Sequence, residues 1–351
     1  MRGLDEELPD WRRFLPDPEL RGVIRAVPED FQVWELPLVE PEDSGNHLWL
    51  EIEKRNANTR WVAERLAEAA AVSVRDVGYA GMKDRHAVTT QWFSVGLQEA
   101  GNDDWRNWSI PDARVLQAKR HTRKLQRGAL RGNRFLIRVR SLSGDAGGLD
   151  DRLARLAALG VPNYFGPQRF GHQGLNFARG ARWLKQGGRL PRAKRSIYLS
   201  AVRSALFNEV LSERVRQSSW DRLVDGDIAQ LNGSRALFAC ALPDADLERR
   251  CAEFDIHPTG PLAGSGGLQP ERDAAVLEAD VLSPHGELLA SLGRARVESG
   301  RRSLRVALTA LEWDQSGSEL ELRFELPAGS YATTLLRELV SLRDGSISED
   351  V

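Results

Sequence analysis

The chemistry of this chain is concentrated in one run, Gly78-Tyr79-Ala80-Gly81-Met82-Lys83-Asp84-Arg85-His86-Ala87-Val88-Thr89-Thr90-Gln91. It sets a single carboxylate, Asp84, among three potential cations, Lys83, Arg85 and His86. Neighbouring cations keep a carboxylate ionised, and an ionised carboxylate can act as nucleophile or base near neutral pH. Glycines mark the run as a loop, and the alternation from Val88 to Val95 predicts a strand directly after it. Loops held by strands are common seats of catalysis. Lys83 and Gln91 are therefore candidate site residues beside Asp84. A Lys-Asp-Arg triplet after glycine is also the ordinary composition of a solvated turn, and spacing alone leaves both readings open.

Several other chemistries are excluded by spacing. The chain has no G-x-x-x-x-G-K-[ST] loop, no G-x-G-x-x-G after a strand, no G-x-S-x-G elbow, and no H-x-E with C-x-x-C. Its six histidines never pair at ligand spacing, and its two cysteines, Cys240 and Cys251, suggest neither a disulfide framework nor a zinc site. A reaction without metal or cofactor is expected. The acidic stretch Met1 to Asp10 lacks an apolar leader, and no run of about 18 apolar residues occurs, so a cytoplasmic protein is expected.

The net charge of −1 conceals a strong asymmetry. Residues 113–208 hold 21 Lys or Arg against three Asp, a balance of +18, and the remainder carries −19. Such a segment points to a nucleic-acid surface, although a charge run can equally be a solvated face. Of the 49 basic residues only six are Lys, at 54, 83, 119, 124, 185 and 194. Arg supplies the planar fork suited to phosphate, but base composition of the coding sequence accounts for much of the excess.

With 351 residues and 41% hydrophobic content, two domains are expected. In the first third, Phe31 and Val33, then Leu48, Leu50 and Ile52, alternate as half-buried strands do, and Asn58 or Thr59 could cap a helix through Trp61, Val62, Leu66 and Ala70. Phe135, Ile137 and Val139 alternate with Arg134, Arg138 and Arg140, predicting a strand with a mainly cationic outer face. Asn133 sits just before it. Leu320, Leu322, Phe324 and Leu326 alternate with Glu319, Glu321, Arg323 and Glu325, and a helix through Leu335, Leu336 and Leu339 is expected after the Pro327 to Gly329 break. From about Gly160 to about Arg305 the texture changes to helices and Gly-rich linkers with few convincing strands. It reads as an insertion that splits one core, with N-terminal and C-terminal strands meeting in one sheet. Within it Val161-Pro162-Asn163-Tyr164-Phe165-Gly166-Pro167-Gln168-Arg169-Phe170-Gly171 interleaves aromatics, an amide and a cation, suiting either a domain junction or RNA contact. Loop aromatics such as Phe31 and Tyr331 could stack on a base or simply edge a core.

Taken in order, these segments resemble the TruD family of tRNA pseudouridine synthases. The resemblance runs through Pro28-Glu29-Asp30-Phe31-Gln32-Val33, Asn46-His47-Leu48, Asn58-Thr59-Arg60-Trp61, Ala80 to Thr89, Arg123-Lys124-Leu125 and Gly132-Asn133-Arg134-Phe135. It continues through Val161 to Gly171, Arg195-Ser196, Ser204 to Asn208, Val224 to Asp227 and Leu326 to Thr333, and so covers almost the whole chain.

The resemblance implies an α+β, V-shaped molecule: a pseudouridine-synthase catalytic domain with a mixed, largely antiparallel sheet (1–158 and 308–351) and an inserted α/β TRUD domain (159–307). It implies isomerisation of uridine 13 of tRNA to pseudouridine without cofactor or metal; tRNA is the expected partner, no membrane is involved, and a cytoplasmic monomer is expected. Asp84 would be the catalytic aspartate. Phe31, Asn133 and Tyr331 would surround the nucleotide, Phe135 would stand where other pseudouridine-synthase families keep Tyr, and Arg25 would be the cationic partner of Asp84. Three positions depart from the expected pattern: Tyr331 and Tyr79 stand in place of Phe, and Arg25 in place of Lys. An RNA-binding protein without chemistry is the alternative, distinguished by the retained carboxylate. A hydrolase or nuclease is disfavoured because no second carboxylate or metal set accompanies Asp84.

Overall fold

The computed structural model describes residues 8–97 and 104–346. The first seven residues of the acidic N-terminal stretch lie outside that range. In chain order the strands are β1 (Arg21–Ile24), β2 (Phe31–Pro37), β3 (His47–Arg55), β4 (Val77–Tyr79), β5 (Val88–Gly96), β6 (Ala113–His121), β7 (Leu130–Ser143), β8 (Val161–Pro162), β9 (Asp227–Leu231), β10 (Leu237–Cys240), β11 (Ile256–Leu262), β12 (Gly300–Ser303), β13 (Arg305–Val306), β14 (Thr309–Ser316), β15 (Glu319–Pro327) and β16 (Ser341–Asp344). The α-helices are α1 (Thr59–Ala69), α2 (Leu149–Leu159), α3 (Leu175–Gln186), α4 (Arg192–Arg216), α5 (Ala245–Ala252), α6 (Arg272–Leu282), α7 (Gly286–Arg294) and α8 (Ala332–Leu339). The class is α+β.

Two compact units divide the chain. One comprises the described residues of Met1–Pro18 with Gly148–Ala307 and Ser330–Leu339; the other comprises Glu19–Gly147, Leu308–Gly329 and the described residues of Val340–Val351. The second unit is built on a ten-stranded sheet of order β14-β15-β7-β2-β5-β3-β6, with β1 joining β7 and β16, and β4 joining β5. Among the described residues of this sheet, only β1/β16 and β2/β5 are parallel. Strands from both sides of the 148–307 segment thus share one sheet.

Register places the candidate residues on one face. Directly paired residues share a face of the sheet. Phe135 faces Val33 on β2 and Phe324 on β15, Asn133 faces Glu35 and Leu326, and Thr89 faces Val33 and Lys54. Gln91 faces Ile52. On this face Leu48, Leu50 and Ile52 pack with Val62 and Leu66 of α1, Phe93 and Val95. The helix is started by backbone: the Val62 N–H donates to the Asn58 carbonyl at 3.0 Å, and the Asn58 side chain makes no cap. Thr59, the other expected cap, turns its hydroxyl toward β5 instead.

The cationic face expected of β7 is largely neutralised. Arg134 and Arg138 stand opposite Glu325 and Glu321 on β15 and bond them at 2.7 and 2.8 Å, and Arg140 reaches Glu319 at 2.8 Å and Asp30 at 2.7 Å. Counting charge along the chain missed this because the glutamate partners lie 179 to 191 residues away and Asp30 lies 110 residues from Arg140.

In the first unit the texture expected of 160–305 needs correction, since an antiparallel sheet of order β10-β9-β11-β12 is present. Two prolines and a glycine in β11, Ile256-His257-Pro258-Thr259-Gly260-Pro261-Leu262, hide its strand character, although its first five residues are buried. Around it, α4 packs Val202, Leu206, Val210 and Leu211 against Phe165, Phe177 and Leu292.

Asp30 fixes the entry to β2. Wholly buried, it accepts the Val27 N–H at 3.1 Å with Oδ2 and Arg140 with Oδ1. Asp30→Ala should cost about 1.5–3 kcal/mol in urea unfolding, the worth of a hydrogen bond to a charged group, while Arg140→Gln should cost more, because it leaves the wholly buried Asp30 carboxylate without its cation.

Candidate active site

Asp84 lies on the loop between β4 and β5. Gly78 permits the close entry of that loop, because a Cβ there would lie 2.4 Å from the Leu125 carbonyl oxygen and 2.6 Å from Ser94 Oγ. The loop itself is held mostly by side chains. Gln91, from inside β5, donates from Nε2 to the Gly81 carbonyl at 3.1 Å, and its Oε1 accepts the Thr59 hydroxyl at 3.0 Å. The same hydroxyl accepts the Lys83 N–H at 3.0 Å.

Lys83 and Glu35 form a buried ion pair at 2.6 Å, with side chains 5% and 1% exposed. Glu35 is fixed by a change in the sheet. The β2/β5 ladder runs only to Trp34 and Thr90, and the Trp92 N–H beyond it donates to Glu35 Oε1 at 3.3 Å. Lys83 is thereby turned into the sheet rather than toward Asp84. A desolvated charge must keep its partner, so this pair contributes mainly position.

The cation on Asp84 is Arg25, whose Nη2 donates to Asp84 Oδ2 at 3.0 Å. Arg25 is only 8% exposed, whereas the Asp84 side chain is 42% exposed. Its guanidinium also lies 4.2 Å above the Phe31 ring centre. A weakly hydrated planar cation over an aromatic face is a favourable way to bury charge. Phe31 in turn meets Phe135 edge-on at 6.2 Å, and Phe135 stacks on Phe324 at 5.2 Å. Phe31 and Phe135, 2% and 7% exposed, form the apolar support under Arg25. Asn133 presents a buried Oδ1 with no hydrogen-bond partner among the described residues, on the same face.

Tyr331 belongs to the other compact unit. There its hydroxyl accepts Arg169 Nε at 3.0 Å, and its ring meets Phe165 edge-on at 6.1 Å. Asn163 and Arg302 flank the same cluster: Arg302 Nη2 bonds Asn163 Oδ1 at 2.5 Å and its guanidinium lies 4.1 Å over Phe165. The segment Val161 to Gly171 therefore packs inward here, with Tyr164 and Phe170 nearly fully buried.

Two residues of the site were not anticipated. Lys54 is wholly buried and donates to the Asp84 carbonyl at 2.8 Å and the Ala57 carbonyl at 2.7 Å. Burial pushes its ammonium down to about 8, partly offset by the Asp84 charge and reinforced by Lys83. Its scarcity was the available signal: where Arg fills 43 of 49 basic positions, a retained Lys marks a place that a guanidinium does not fit. Asp344 bonds Arg25 Nη1 at 2.8 Å. Nothing in the sequence near residue 344 suggests it, since only the parallel pairing of β16 with β1 brings it there.

Among the described residues no group of three or more His, Cys, Asp or Glu could hold a metal ion, and no helix is long and apolar enough to cross a membrane. The family model for tRNA pseudouridine synthase D (TruD) matches residues 14–187 and 179–339. The chain belongs to the TruD family. Members are isomerases named for action on tRNA. A tRNA pseudouridine synthase D from Methylococcus capsulatus is 49% identical over 322 residues, 91% of each chain. Another from Nitrosococcus oceani is 45% identical over 334 residues, 93% of each. A crystal structure of a protein named for the same family, from Methanosarcina mazei, superposes with a TM-score of 0.73 over 95% of this chain and 97% of its own, at 21% identity, which shows the common fold.

The buried Lys54 has a thermodynamic signature. A lysine whose folded value lies below its unfolded one near 10.4 penalises the native state at neutral pH, and the penalty is relieved as pH rises. Relative to Lys54→Met, the native protein should therefore gain stability between pH about 8 and about 10.5. Urea unfolding at pH 7, 8, 9 and 10 measures the difference; a flat one would contradict the assignment.

Proposed function

We propose that this chain isomerises uridine 13 of tRNA to pseudouridine, with Asp84 initiating the reaction and no cofactor required. The reaction breaks the C1′–N1 bond, forms C1′–C5, loses the C5 proton and adds one at N1. Atoms and electrons are conserved overall, so no oxidant or group donor is needed. What the reaction needs is a carboxylate that is charged, reachable by a flipped nucleotide, and fixed.

The observation that carries this reading is the Asp84–Arg25 pair: an accessible carboxylate on a buried cation supported by Phe31. Arg25 holds the Asp84 carboxylate in place by the 3.0 Å hydrogen bond, for attack on the base, attack on the sugar, or removal of a sugar proton. Asn133 Oδ1 is suited to accept from a base edge. Tyr331 supplies an aromatic ring with a hydroxyl, its departure from Phe being tied to Arg169. We assign Lys83 and Gln91 to holding the loop rather than to touching the uracil. The protein acts as a monomer in the cytoplasm on this reading.

Asp84→Asn should bind tRNA but release the C5 hydrogen of uracil at least ~10³-fold more slowly, as loss of a reacting group does. Release at the native rate would remove Asp84 from the mechanism. Binding of tRNA should weaken steeply with salt, because phosphate contacts release counterions. Arg138→Gln should leave that slope unchanged, since Glu321 already neutralises Arg138.

A further inference from the structure

Arg25 is shared between two carboxylates. Nη2 binds Asp84 Oδ2 at 3.0 Å and Nη1 binds Asp344 Oδ2 at 2.8 Å, each by a single hydrogen bond. Asp344 is itself fixed, since its Oδ1 accepts the Ser346 N–H at 3.0 Å and the Ser346 hydroxyl at 2.7 Å. Burial alone would raise its carboxyl, but the Ser346 hydroxyl and Arg25 hold it below the usual range.

The backbone is arranged around the same contact. Ile24 and Asp344 are paired in the parallel β1/β16 register, and the Gly345 N–H donates to the Ile24 carbonyl at 2.8 Å. A Cβ on Gly345 would come within 3.0 Å of Ala26 Cα, so the approach depends on glycine. Arg25, between Ile24 and Ala26, has φ +55°, a left-handed conformation that few non-glycine residues adopt. Strain of this kind persists where surrounding contacts over-determine it.

The consequence follows from charge. Whether Asp84 bonds to carbon or takes a proton, its carboxylate loses its negative charge, and Arg25, 8% exposed, loses that partner. An uncompensated buried charge is strongly disfavoured. We infer that Asp344 is a positioning residue that acts through Arg25 as the standing counter-charge of the site, keeping the guanidinium paired and in place while Asp84 is consumed.

This rests on the proposed reaction of Asp84. Asp344 bonds Arg25 and its near neighbour Ser346, and its side chain is 28% exposed, so Asp344→Asn is expected to fold, as a thermal melt will show. In a pseudouridine-formation assay on tRNA, Asp344→Asn should lower kcat by about tenfold or more while KM stays within about twofold, a loss confined to the reacting state. Asp344→Glu should recover part of kcat. A native kcat, or a rise in KM alone, would overturn the inference. Should Asp344→Asn fail to fold, Ser346→Ala decides: a fall in kcat supports the counter-charge and an unchanged kcat contradicts it. If the native protein itself forms no pseudouridine, the proposed reaction fails, a result distinguishable from an active native protein with a fully active Asp344→Asn.

Discussion

The ion pair of Asp84 with Arg25 governs the rest of the site, because it must reconcile two opposed demands. The carboxylate proposed to react has to face a substrate, and Asp84 is 42% exposed; an ion pair that open to water is ordinarily worth little. Burying the cation instead of the anion resolves this. Arg25 is screened from solvent, lies over Phe31, and therefore acts on Asp84 through protein rather than through water. Each support of Arg25 has its own cause in the fold: Phe31 is set by the Asp30 turn and the β2 register, and Phe135 and Phe324 stack behind it because β7 is paired on both edges.

The loop bearing Asp84 has few ladder hydrogen bonds of its own, so its shape depends on side chains arriving from regular elements. Lys54 comes from β3, Gln91 from β5, Glu35 from β2 and Thr59 from the start of α1. Strands and helices are the rigid parts of such a unit, and placing the fixing groups there gives a loop residue the precision of a strand. The change of partner along β5 is what frees the Trp92 N–H for Glu35, so even the Lys83–Glu35 pair derives from topology.

Much of this was legible in the sequence where local pattern decides it. Period-two alternation located β2, β3, β5, β7 and β15, whereas the cations flanking Asp84 in sequence were a poor guide to its partner, since Lys83 pairs with Glu35 and Asp84 with Arg25. What escaped was long-range. The arginines of β7 read as a cationic face until the glutamates of β15 are paired with them, and Asp344 meets Arg25 only through a parallel contact between strands some 320 residues apart. Propriety of single residues misled as well: Asn58 and Thr59 both suit a helix cap, but Thr59 is drawn to Gln91 and Lys83, and the prolines of β11 mask a buried strand. Lys54 left only a compositional trace.

Local charge balance also changes how the basic segment relates to RNA. Pairing on β7 removes several arginines from the surface available to phosphate, so the net charge of the segment overstates its electrostatic reach. Isomerisation of uridine 13 is tested most simply by mapping pseudouridine in tRNA incubated with and without the native protein. A new pseudouridine at position 13 that depends on the protein is expected; tRNA left unmodified, or modified only at other positions, would rule the proposed reaction out.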